Sequence, residues 1–309
     1  MRIAFIKTLT KLAQRDKNIF LVTGDLGFSV LEEFIARFPN QYLNIGVAEQ
    51  NMISVAAGLA LCGRTVFAYS IIPFITLRCF EQIRNDVCMQ NANVKLIGVG
   101  EGFSYGQLGP THHSIEDIAV MRSLPNMTVV CPGDPWEVEK ATQAIAKIKS
   151  PAYLRIGKKG EPILHRKNTN FTLGKGIVME EKGILTLMTT GNMLETTLAV
   201  SEKLRKKSVS SRIISMHTLK PLDEDLIVAS GKDTGAIFTI EEHSIIGGLG
   251  SAVSQVLMEG GIKAKFHCFG VEDKFTKIAG SQEYLRIVNG LSINQISKSI
   301  LKIMTSKND

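Results

Sequence analysis

Three short segments of the chain combine residue types that can do acid–base or binding chemistry. The first is NIGVAEQN, residues 44–51, in which Glu49 follows a strand-like stretch and opens an almost wholly apolar helix. A carboxylate is favoured at a helix N-terminus by the unpaired amides there. In a dry pocket, burial raises its pKa and lets it keep a proton. A helix-opening glutamate that only meets orphan amides is the competing structural reading. The second segment, GVGEGFSYGQLGPTHHSIED at residues 98–117, runs from a strand into a loop with five glycines, then a proline and the adjacent His112 and His113. Neighbours in an extended segment point to opposite sides, so at most one of the two histidines faces a site. Neither has a Cys, Asp or Glu at zinc spacing. A phosphate anchor or proton shuttle is the better role for a histidine here. Ser114, with Asp117 three residues on, reads as a variant capping box. The third segment, EEHSIIGGLGSAVSQVL at residues 241–257, ends a strand in acids and a histidine before a glycine-rich turn. GGLG lacks the GxGxxG spacing, so a tight strand-to-helix turn is a better reading than a dinucleotide site.

The elements that must position these residues alternate strand and helix along the chain, which predicts doubly wound α/β layers. Strands are expected at 19–23, 65–69, 94–99, 127–131 and 152–155, with helices at 49–62 and 74–92. The helix from Glu49 is rich in Ala and Gly and stops at Gly63, which predicts close packing and burial. Residues 157–176 hold five Gly and Pro residues among several charges and read as an inter-domain linker. Beyond it, strands are expected at 184–189, 211–215, 236–240 and 265–268, and helices at 194–206, 249–259 and 293–304. The second half reads equally as a subunit-contact domain or a second catalytic half.

With 309 residues, the chain is long enough for two such domains. A hydrophobic fraction of 44% against 21% charged residues predicts real buried cores. No apolar run reaches the roughly 18 residues of a membrane span. The N-terminal stretch is amphipathic, with Ile3, Ile6, Leu9 and Leu12 at helical spacing, and has no signal-peptide core, so a cytoplasmic location is expected. Cys62, Cys79, Cys88, Cys131 and Cys268 form no CxxC pair and read as buried reduced thiols rather than disulfides or zinc ligands. The net charge of +7 is spread along the chain with few aromatics between the basic residues, which argues against nucleic acid. A phosphorylated substrate or an acidic partner surface suits that charge better.

Taken together and in order, NIGVAEQN, GPTHH, LPNMTVVCPGDPWE, PAYLRIG and EEHSIIGGLGSAV resemble the C-terminal subunit of split transketolases, and the likeness extends to the closing GLSINQISKSIL. It implies an α/β fold of two doubly wound domains. Residues 1–160 would be the pyrimidine-binding domain of thiamine-diphosphate enzymes, 161–176 a linker and 177–309 the transketolase C-terminal domain. The implied activity is transfer of a two-carbon ketol unit from a ketose to an aldose. By the same likeness, Glu49 is the acid that hydrogen-bonds the pyrimidine ring nitrogen and favours its imino tautomer, which needs a carboxyl in an apolar pocket. His112 corresponds to the family's substrate-contacting histidine, with His113 beside it, and Arg155 to its phosphate-binding arginine. Phe74 is the candidate to stack on the pyrimidine.

The motif that anchors the diphosphate and Mg²⁺, GDG followed some thirty residues later by Asn, is absent. Gly24-Asp25-Leu26-Gly27 imitates its start, but at the position where the pyrimidine domain has its own Asp-Leu pair, so Asp25 is read as a cofactor contact. The expectation is therefore a partner chain, an N-terminal subunit holding the diphosphate and Mg²⁺, in an α2β2 assembly. Two departures bear on the substrate. Leu108 stands where full-length transketolases usually have an Asp, and Gly100 stands near the place of a His. Both leave room for an unphosphorylated or branched sugar. The β-subunit of a 2-oxoacid dehydrogenase first component and a deoxyxylulose-phosphate synthase are the neighbouring alternatives; GPTHH and the Asn-rich stretch before Lys95 favour transketolase. A non-catalytic assembly subunit is disfavoured because Glu49, His112 and Arg155 are all retained.

Overall fold

The apolar runs at 19–23, 65–71 and 94–99 are buried on both faces, as strands of a parallel sheet covered by helices must be. In the computed structural model, which describes residues 1–158, 160–166 and 169–306, they form the centre of the first of two sheets. Its strands are β1 (Ile19–Thr23), β2 (Tyr42–Asn44), β3 (Thr65–Ile71), β4 (Val94–Val99), β5 (Thr128–Val130) and β6 (Ala152–Ile156). The helices among them are α1 (Arg2–Arg15), α2 (Glu32–Arg37), α3 (Glu49–Leu61), α4 (Ile72–Ile75), α5 (Phe80–Gln82), α6 (Asp117–Ser123) and α7 (Pro135–Lys147).

The second half contributes β7 (Ile177–Glu180), β8 (Leu185–Thr189), β9 (Ser211–Ser215), β10 (Thr218–Lys220), β11 (Ala236–Ser244) and β12 (Lys265–Val271). Its helices are α8 (Met193–Arg205), α9 (Glu224–Thr234), α10 (Leu249–Glu259), α11 (Gln282–Val288) and α12 (Ile293–Thr305). The second sheet runs β12-β11-β8-β9-β7, parallel except at its β7 edge. The first runs β10-β5-β6-β4-β3-β1-β2, and its β10 edge, antiparallel to β5, comes from beyond the linker. A division of the chain at the linker does not anticipate that crossing.

Four local expectations need correction. The stretch 74–92 is not one helix: α4 ends after Ile75, α5 is a single turn, and Ile83–Cys88 is a π-helical turn. At the break the Leu77 and Arg78 amides both donate to Pro73 O, and two side chains bond to neighbouring carbonyls. The Thr76 hydroxyl donates to Ile72 O at 2.7 Å and the Cys79 thiol to Phe74 O at 3.2 Å. Ser114 does not cap a helix; its Oγ donates to Gly100 O at 2.9 Å, and α6 begins only at Asp117. The buried face of α1 is Phe5, Ile6, Leu9 and Ala13, while Ile3 is exposed. Cys62, at the end of α3, is exposed rather than buried.

Although rich in Gly, Pro and charge, the linker is pinned at its described residues. Asp134, the N-cap of α7, accepts from the amides of Leu164 and His165 and from His165 Nδ1 at 2.7, 3.1 and 2.9 Å. His165 Nε2 lies 3.1 Å from Glu137 Oε1, and the Ser215 hydroxyl of β9 donates to the same oxygen. Trp136 stacks on the His165 ring, and Phe171 on His217. Burial alone would lower the His165 pKa, but hydrogen bonds from its ring to Asp134 and Glu137 outweigh it and raise the pKa to about 9. A histidine raised on folding stabilises fully below its unfolded pKa, near 6.5, and stops doing so as pH rises through the folded value. The difference in urea midpoint between the protein and its His165→Gln variant should therefore shrink between pH 6.5 and about 9. A difference that stays constant across that range would exclude the charged clasp.

Candidate functional site

In an open parallel sheet, ligands bind beyond the carboxyl ends of the strands, where successive connections leave in opposite directions. Strand β1 is flanked by β2 on one side and β3 on the other, so that switch point lies at the end of β1. The first residue of α3, on the crossover from β2 to β3, is Glu49. Its burial follows from the helix pattern: Glu49, Met52, Ile53, Ala56, Ala57 and Ala60 share the buried face. The carboxyl is only 2% exposed, at an N-terminus whose cap, Ala48, offers no side-chain bond. Gly24, at the end of β1, gives it room; a Cβ there would lie 3.3 Å from Gly46 O and 3.6 Å from Glu49 Cγ. Asp25 follows in a left-handed conformation, φ 57°, and is exposed. Its carboxylate accepts from Asn44 Nδ2 at 3.0 Å, which fixes the loop beside Glu49.

Side chains from the connections that follow β3 and β4 continue the site. Phe74 in α4 meets the His112 ring edge-on, with centroids 5.1 Å apart. Arg78, one turn after Phe74, donates to Glu49 Oε2 at 2.6 Å, with its guanidinium over the Phe74 ring. Tyr105 also neighbours His112, 6.4 Å between centroids, and the Lys158 ammonium sits 4.5 Å over the Tyr105 ring. Glu49, Phe74 and His112 are thus brought together through pairwise contacts with three residues that the three chemistry-bearing segments do not single out: Arg78, Tyr105 and Lys158. Only the i, i+4 spacing of Phe74 and Arg78 hints at one of them. Partial burial holds the His112 imidazole below the usual histidine pKa, so it is neutral at pH 7.

Gly100 has φ +94°, and a Cβ there would fall 2.1 Å from a Tyr105 ring carbon. A histidine at that position would have to displace Tyr105, so the tyrosine ring fills the space that the missing side chain leaves. Beside it a cleft of about 360 Å³ is lined by Ser104, Tyr105, Gln107, Lys158, Ser281 and Gln282.

Two expected substrate contacts lie elsewhere. His113 is 4% exposed and packs edge-on against Phe103, so it faces the protein interior. Arg155 is 1% exposed, and each of its three nitrogens donates inside the protein. It binds Asp117 Oδ2 at 2.8 Å, Glu101 Oε2 at 3.0 Å, and the carbonyls of Ser114 and Glu242. An arginine so committed cannot also take a substrate phosphate. Burial pushes the Glu101 carboxyl up to about 8, against the pull of Arg155. The acids of the third segment are likewise structural. Glu241 accepts from the Leu249 and Gly250 amides at the start of α10, and Glu242 pairs with Arg286 at 2.6 Å. Among the described residues, no three His, Cys, Asp or Glu side chains are grouped to hold a metal ion, and no helix is long and apolar enough to cross a membrane.

Comparison with known proteins identifies the two halves of the chain. The family model of the transketolase pyrimidine-binding domain matches residues 1–161, and that of the transketolase C-terminal domain matches residues 174–295. A protein of Methanocaldococcus jannaschii, provisionally named a transketolase C-terminal section, is 37% identical over 98% of this chain and 96% of its own length. A 6-deoxy-6-sulfo-D-fructose transketolase subunit of a Clostridium species is 34% identical over 100% of this chain and 95% of its own. A solved structure described as a split-gene transketolase, an inactive beta4 tetramer, superposes with a TM-score of 0.88 at 36% identity, covering 99% of this chain and 98% of that one. The chain therefore belongs to the transketolase family, as a C-terminal section that joins a pyrimidine-binding domain to a transketolase C-terminal domain.

Proposed function

We propose that this chain supplies the pyrimidine half of a split thiamine-diphosphate site and transfers a two-carbon ketol unit from a ketose to an aldose together with a separate N-terminal subunit. The observation that carries this reading is the Glu49 carboxyl, buried at the switch point of the first sheet and linked through Arg78 to the Phe74 ring. The residues present suit an aminopyrimidine: a buried acceptor for a ring N–H, an aromatic face, and a glycine at position 24 that keeps the approach to the acid open. When bound, the cofactor would supply the electron sink for the transferred unit. Glu49 would hold a proton at the pyrimidine edge, and Phe74 would orient the ring. His112, neutral and in contact with the Phe74 ring, would move a proton at the substrate.

With Arg155 sequestered, the polar end of the sugar falls to the cleft along Tyr105, Lys158 and Gln282. The diphosphate and Mg²⁺ are assigned to the partner, in an α2β2 assembly. Calorimetric titration of thiamine diphosphate with Mg²⁺ tests the division of labour. Binding should be weak to this chain alone and become tight once a candidate N-terminal subunit is added. Tight binding by the isolated chain would remove the need for that subunit.

A further inference from the structure

Arg78 makes two contacts at once. Its Nη1 donates to Glu49 Oε2 at 2.6 Å, and its guanidinium carbon sits 4.4 Å from the Phe74 ring centroid. A guanidinium is a flat, delocalised N–C–N unit that both stacks on aromatic rings and donates to carboxylates. A 4-aminopyrimidine presents the same two features, a flat π face and an amidine-like N–C–N edge. The acid and the ring that Arg78 engages are the two groups assigned to the pyrimidine. We propose that Arg78 is a built-in stand-in for the aminopyrimidine: it keeps the Glu49 carboxylate paired and the Phe74 face covered until the cofactor takes its place. The inference rests on the reading of Glu49 and Phe74 as the pyrimidine site.

The two partners differ in a way that suits exchange. The Glu49 side chain is 2% exposed, so left alone it would be a buried unpaired charge. The Arg78 side chain is 44% exposed, so its head group can move into water while its stem stays against the protein. Position along the chain serves the same end. Arg78 lies in the break between α4 and α5, its amide bonded to Pro73 O at 3.2 Å, rather than inside a long helix. The break places Phe74 and Arg78 on one turn facing the first residue of α3, and the π-helical turn that follows is a feature often found at functional sites.

Thiamine carries the aminopyrimidine without the diphosphate and so probes this half of the site in the full chain without a partner. An occupied site taxes the affinity of its ligand by the fraction of protein that is free. Arg78→Ala is therefore expected to bind thiamine about tenfold more tightly than the unchanged protein, with Arg78→Lys in between because it keeps the charge without the flat stack. Guanidinium ion in the millimolar range should compete with thiamine for the alanine variant, while sodium salt of equal ionic strength should not. A residue with a merely structural role gives no such competition. Equal affinity of the protein and its Arg78→Ala variant, with Glu49→Gln weakening both, would overturn the stand-in and leave the pyrimidine site standing. Absence of thiamine binding to either folded protein would remove the pyrimidine site and the stand-in with it.

Discussion

Glu49→Gln should lower kcat of the assembled enzyme by at least about a hundredfold, the scale on which a positioned proton-holding group contributes. Glutamine keeps the length and shape of the side chain but cannot exchange a proton at the pyrimidine edge. The stability cost should be small, for a reason visible in the pair itself. Removing the buried member leaves Arg78, whose side chain is 44% exposed, to be hydrated rather than stranded. Steady-state turnover with a ketose donor and an aldose acceptor, alongside size-exclusion chromatography of the assembly, separates the two effects. Turnover that survives within about threefold of the unchanged enzyme would end the catalytic assignment of Glu49.

Arg155→Met should behave in the opposite way, with a large loss of stability. The guanidinium is the only cation within bonding distance of both Asp117 and Glu101 among the ion pairs of the described residues, and all three side chains are at most 1% exposed. Stranding a buried partner costs about 3–5 kcal/mol. Asp117 also takes the Tyr153 hydroxyl at 2.6 Å, and the carbonyl of Glu242 in β11 closes the cluster from the second half. The loss should appear in the urea midpoint of the isolated chain, with no substrate present. If Arg155 were instead a phosphate contact, the midpoint would hold and KM for a phosphorylated sugar would rise. That pattern would return Arg155 to the substrate and take it out of the core.

The two residues show what a sequence discloses and what it withholds. Glu49 is legible because its role depends on local order: a strand, a short loop, then an apolar helix with the acid at its first position. The bounds of β1 and β4 are legible for the same reason, since each is a short, largely apolar run between turn residues. Arg155 is misleading because its partners come from Glu101 in the loop after β4, Asp117 at the start of α6 and Glu242 in β11. No spacing rule brings those together, and the motif around an arginine does not say which way it points. Arg78 stays hidden because 74–92 has the periodicity of one helix. The sharing of Pro73 O by the Leu77 and Arg78 amides, which leaves Phe74 O to the Cys79 thiol, leaves no trace in a hydrophobic pattern. Ser114 shows the reverse error, a correct capping spacing that the loop uses for a different bond.

The strand β10 bears on how such a chain can be taken apart. It belongs in sequence to the second half but pairs with β5 at the edge of the first sheet, with Thr218 beside Val130. A cut at the linker would strip that edge, expose the unpaired amides and carbonyls of β5, and leave a template for pairing with another chain. The two halves are thus separable as sequence families but not as folding units. A fusion, truncation or domain transplant that respects only the family boundary would yield a sticky fragment, and a cut after Lys220 would instead take β7, β8 and β9 from the second sheet, so neither cut leaves both sheets whole.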